Sequence, residues 1–95
     1  MPQFEIGSSI AIPCKVNPGP FDDEVLVEFD TLDGTVSGFA RTENIREMEG
    51  QSFIRGTVLE VSDGVITAMV EGSFFTTNGL ANFTPDRIEP LALAA

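Results

Sequence analysis

The sequence predicts an all-β domain: a small barrel or sandwich of roughly six to eight short antiparallel strands, with one short helical turn. Three observations carry that expectation. Between residues 25 and 41 two β-prone runs flank Asp33-Gly34, a dipeptide that favours tight hairpin turns. Within the first run Val25, Val27 and Phe29 alternate with Leu26, Glu28 and Asp30, so the apolar side chains share one face of a strand. The same punctuation recurs at Ser62-Asp63-Gly64 and Asn78-Gly79.

The elements follow in chain order. Phe4 and Ile6 alternate with Gln3 and Glu5 and read as a short edge strand that Pro2 stops. Ser9 to Val16 is the next strand, with Ile10, Ile12 and Cys14 on one face. Pro13 removes a ladder donor, which predicts an edge or bulged strand. Asn17-Pro18-Gly19-Pro20 is a turn, its prolines fixing φ and its glycine accepting a left-handed conformation. After the central hairpin, Thr42 to Gly50 is the helical candidate, either a helix or a single 3₁₀ turn. Thr42 is its N-cap and Gly50 its end, and Ile45 and Met48 face the core. Phe53 to Val61 and Val65 to Glu71 form a hairpin: Phe53, Arg55, Thr57, Leu59 and Val61 lie on one side of its first strand with Ile54, Gly56, Val58 and Glu60 on the other, and Val65, Thr67 and Met69 stand opposite Ile66, Ala68 and Val70 in its second. Gly72 marks a bulge or bend. Phe74 to Thr77 and Leu80 to Phe83 flank Asn78-Gly79 as a third hairpin, and Thr84 to Ile88 is a closing turn that drops Ile88 onto the core. Leu91 to Ala95 is weakly specified and expected to fray.

The chain reads as one domain over residues 1–95. Sliding it by 45 residues superposes Val16 on Val61, Gly19 on Gly64, Val25 on Val70, Phe29 on Phe74 and Asp33-Gly34 on Asn78-Gly79. A duplicated strand-turn-strand unit, over about 6–45 and 51–90, needs these positions; two unrelated β-meanders share them as well.

Phe53–Val70 and Thr84–Leu91 together resemble an SH3-like small barrel: a long hairpin with Gly56 early in it, then a Thr-Pro-Asp-Arg-Ile-Glu-Pro-Leu turn. The resemblance is one of pattern and covers about half the chain. SH3-like barrels bind peptides, nucleic acids or other subunits, and rarely catalyse. The peptide-binding kind uses a groove of Tyr and Trp, and this chain has neither. No binding residue carries over.

Charge and composition narrow the chemistry. Fifteen acidic residues face five basic ones, a formal net charge of -10, which opposes binding to nucleic acid or to anionic membranes. No histidine is present, so Ser-His and Cys-His activation are unavailable within one chain. Cys14, the single cysteine, alternates with Ile10 and Ile12 and reads as a small core residue. One cysteine permits no intrachain disulfide, which fits a reducing, cytoplasmic home, and neither a secretory leader nor an apolar run of membrane-spanning length is evident. No catalytic, cofactor-binding or metal-binding residue is nominated, and no cofactor or small-molecule ligand is expected. Asp22, Asp23 and Glu24 match no calcium-loop spacing; a weak cation site there is an open alternative. Arg41, Arg46, Arg55 and Arg87 are expected to pair with neighbouring carboxylates.

The leading expectation is a non-enzymatic interaction module or accessory subunit that binds a protein partner or a second copy of itself. Its candidate surface is Phe21 beside Asp22, Asp23 and Glu24, together with the adjacent Phe74 and Phe75, which on a strand point to opposite faces. Two other classes stay open: an acidic decoy that imitates nucleic-acid phosphates, and a carboxylate-only enzyme acting in an oligomeric cleft.

Overall fold

A computed structural model describes residues 4–74 and 79–91. The described residues form an all-β fold of nine strands: β1 Ser9–Pro18, β2 Glu24–Thr31, β3 Gly34–Arg41, β4 Ile45–Met48, β5 Gln51–Ser62, β6 Val65–Val70, β7 Ser73–Phe74, β8 Leu80–Phe83 and β9 Glu89–Pro90. They make one antiparallel sheet in the order β7-β3-β2-β1-β5-β6-β8, with β4 beside β5 and β9 beside β1. The sheet curls into a small half-barrel. Its two ends approach each other where the β2–β3 turn meets β8: the Leu32 N–H donates to the Asn82 carbonyl at 2.9 Å. Side chains on the concave face form the core, including Ile10, Ile12, Cys14, Val27, Phe29, Ile54, Val58, Ile66, Phe83 and Ile88.

β1 joins the two halves. Ser9 to Cys14 pair with β5, and Lys15 to Pro18 pair with β2. β1 is therefore interior to the sheet, not the edge or bulged strand that Pro13 suggests. Backbone alternation explains how the proline is accommodated. On β1's other edge β9 pairs only at Ile10 and Ala11 and β2 only from Lys15 onward. The Val58 N–H bonds to the Ser8 carbonyl and the Leu91 N–H to the Ser9 carbonyl, which sets the phase of the ladder. By that phase Pro13's nitrogen points into the gap between β9 and β2, where no donor is needed.

The helical expectation over 42–50 resolves into a 3₁₀ turn at Thr42–Asn44 followed by strand β4. Glu49 and Gly50 take φ of 51° and 81° and turn the chain into β5, so this is a hairpin. Ile45 packs on the core, but Met48 is exposed, because residues three apart on a strand face opposite ways. Phe4 and Ile6 do not form the expected edge strand. The chain turns there, with the Ser8 N–H and hydroxyl both donating to the Glu5 carbonyl, and Ile6 is left exposed while Phe4 reaches the core. The proline-rich turn also differs in detail. Asn17 and Pro18 still belong to β1, and Gly19 is not left-handed. It is glycine because a Cβ would strike the Glu24 carbonyl, whose carbon lies 2.8 Å away.

The turn of the expected third hairpin, with most of its first strand, falls outside the described residues, and only its flanks are seen. β8 pairs with β6, while Ser73 and Phe74 cross over to pair with β3 at Phe39 and Gly38. Asn78, Phe75, Thr76 and Thr77 lie outside the described residues. The second turn stands at Asp63-Gly64 as its glycine places it, whereas the first sits one residue earlier than Asp33-Gly34, with Gly34 already paired to Thr31. In the first, Leu32 and Asp33 are the central residues and the Thr31 hydroxyl donates to the Gly34 carbonyl at 2.8 Å. The closing turn is a 3₁₀ turn at Pro85–Arg87, and Ile88 behind it is buried.

Candidate partner surface

The loop between β1 and β2 carries the candidate surface. Its shape is set by backbone bonds: the Glu24 N–H donates to the Phe21 carbonyl at 3.2 Å, and the Thr42 N–H to the Asp23 carbonyl at 3.0 Å. These bonds hold Phe21 out in solvent, 67% exposed, with Asp22 and Asp23 exposed beside it. Glu24 is half-buried at the start of β2, opposite Arg41 in the β2–β3 ladder. Arg41 lies 3.8 Å from the Asp23 carboxylate and 3.9 Å from that of Glu43. Both contacts are exposed and long, so they contribute little to stability.

Phe74 turns the other way. It is half-buried, packs on the core, and lies edge-on to Phe29. Phe75 falls outside the described residues. Of the two aromatic positions visible in the candidate surface, Phe21 presents its ring to solvent.

Carboxylates elsewhere serve turns and sheet edges. Asp30 accepts from the Thr35 hydroxyl at 2.8 Å, and Asp33 accepts from the Asn82 amide at 3.2 Å. Asp86 is exposed and held below the ordinary carboxylate range, first by the Thr84 hydroxyl and next by its own backbone N–H. A catalytic proton donor needs the opposite displacement. Among the described residues no three Cys, Asp or Glu side chains gather closely enough to hold a metal ion, those of Asp22, Asp23 and Glu24 included. Cys14 is buried, and burial pushes its thiol up to about 11, so almost no thiolate is present near neutrality. No described helix is long and apolar enough to cross a membrane.

One feature of the surface escapes sequence reasoning. On the outer face of the β4–β5 hairpin Arg46 stands across from Phe53, and Arg55 lies two residues further along β5 on that same face. With Glu43, Asn44 and Leu91 they line a shallow cleft of about 70 Å³. The described ion pairs are both made by Arg41, so Arg46 and Arg55 do not take the carboxylate partners expected of them. Arg55 donates instead to the Ser9 hydroxyl at 3.2 Å. Reading 42–50 as a helix hides this grouping. The local signal for the hairpin is weak: Glu49-Gly50 is a turn dipeptide, but neither Ile45 to Met48 nor Gln51 to Ile54 alternates apolar with polar residues.

Compared with family models, curated proteins and solved structures, the chain matches none of them.

Proposed function

We propose that this protein is a small acidic interaction module, most of whose surface is inert and whose β1–β2 loop engages a protein partner. The observation that carries the reading is Phe21. A phenylalanine 67% exposed on a loop tied down by two backbone hydrogen bonds holds a large apolar ring in water. Partner contact removes that ring from water, and ordering costs little because the loop is already shaped. Asp22 and Asp23 beside it set the encounter rate and reject like-charged surfaces. The curled small barrel supports an SH3-like reading, with Gly56 buried in the long β5 and the Pro85–Arg87 turn delivering Ile88. A cytoplasmic setting is consistent with a single buried thiol.

Photo-crosslinking tests this. A photoreactive phenylalanine analogue placed at Phe21 is expected to give a discrete protein adduct in the native host. The adduct should weaken when Asp22 and Asp23 are changed to Asn. Absence of any adduct from position 21, with the analogue shown to be incorporated, would overturn the proposal.

A further inference from the structure

We infer that the occupant of the loop's partner site is a second copy of this chain, and that each Phe21–Asp23 loop seats in the other copy's Arg46–Phe53–Arg55 cleft. The inference rests on the reading of that loop as a contact surface. The cleft offers two guanidinium groups that enter no described ion pair, Arg46 across the ladder from the half-buried Phe53 and Arg55 two residues along from it, while the one carboxylate in its lining, Glu43, faces Arg41 at 3.9 Å. Guanidinium forks recognise carboxylates in a planar, two-pronged manner, and the ring and Leu91 give an apolar floor. The chemistry that fits is therefore an exposed apolar side chain with carboxylates immediately beside it. Phe21-Asp22-Asp23 is such a segment, exposed at all three residues.

The two surfaces are also neighbours. The Asp23 carbonyl accepts the Thr42 N–H at 3.0 Å, and the next residue, Glu43, already lines the cleft. Complementary patches side by side on one molecule satisfy each other through a two-fold axis, loop to cleft and cleft to loop. A polyanion is a poorer occupant, since each further negative charge meets the -10 of the whole chain. Two copies repel as well, but at ~0.15 M salt the Debye length is about 8 Å, so distant charges are screened while contacting pairs are not.

Charge reversal tests the arrangement with the full chain. Sedimentation equilibrium at physiological salt and up to millimolar protein is expected to show a reversible dimer. The double variant Arg46→Glu, Arg55→Glu should be monomeric, because its cleft repels the loop. The double variant Asp22→Arg, Asp23→Arg should be monomeric for the converse reason. Both sets of positions are exposed, so the far-UV spectra and thermal midpoints should stay close to the parent's. Mixing the two variants in equal amounts should restore a dimer, since both contacts are then attractive. A monomeric parent overturns the inference, as does a dimer that survives either reversal or a mixture that stays monomeric. A position-21 adduct of foreign mass beside a monomeric parent would leave the loop as a contact surface while removing the second copy as its occupant.

Discussion

The Phe74 ring stands edge-on to that of Phe29, centroids 5.2 Å apart and planes at 75°. This contact fastens the two-residue strand β7 across the open side of the curled sheet. It relies on the lack of a side chain at Gly38, where a Cβ would collide with the Ser73 carbonyl and lie 2.6 Å from the Phe74 Cα. Phe29 also meets Phe83 at 6.1 Å, so three rings join β2, β7 and β8.

Phe74→Ala should therefore destabilise the fold by about 2–3 kcal/mol, below the ~3–5 of a fully buried Phe because the ring is only half-buried. Gly38→Ala should cost a comparable amount without removing any apolar surface, by lifting β7 off β3. Urea unfolding of both variants checks this; a neutral Gly38→Ala would show that β7 is not docked there.

Gly50→Ala tests the tight turn that joins β4 to β5. Gly50 has φ of 81°, so Ala is strained there and should cost about 1 kcal/mol. A thermal midpoint that rises in Gly50→Ala would contradict the turn.

Asn82 ties the closure together with both ends of its amide. Its oxygen accepts from the Thr67 hydroxyl at 2.6 Å and its nitrogen donates to Asp33 at 3.2 Å. Asn82→Asp exchanges that donor for a second carboxylate facing Asp33. We expect a loss of about 1–2 kcal/mol that shrinks as salt is raised, read from denaturation at two ionic strengths.

Two groups give opposite pH signatures. The Cys14 thiol titrates near 11 in the fold against 9.0 when unperturbed. Its contribution is fully present below 9 and is lost as pH climbs through 11, at up to about 1.4 kcal/mol per unit. Cys14→Ala should flatten the decline above pH 9, and the parent's thiol should react with an aromatic disulfide at pH 8 far more slowly than after unfolding. Asp86 has its carboxyl lowered, chiefly by the Thr84 hydroxyl, so its contribution is present above the ordinary carboxylate range and fades as acid protonates it. Thr84→Val should move the Asp86 carboxyl upward in an NMR titration; an unmoved carboxyl would remove that hydroxyl from the account.

Local pattern alone determined the all-β class, the inward faces of β1 and β2, the alternation but not the inward face of β5 and β6, the reversals near Gly34 and at Gly64, and the burial of Ile88 behind Pro85. Each follows from a period of two or from turn chemistry confined to a few neighbouring residues, which the chain carries whatever lies across from it. Tertiary structure alone decided the rest. Pro13 sits in an interior strand because the far edge of β1 happens to be empty at that one position. Ser73 and Phe74 pair with β3 and not with the strand after Gly79, because Gly38 leaves room for them. Arg46 and Arg55 share a cleft because β4 pairs with β5. Pairing partners are chosen by what the curled sheet brings within reach over long sequence separation, and no local period encodes that choice.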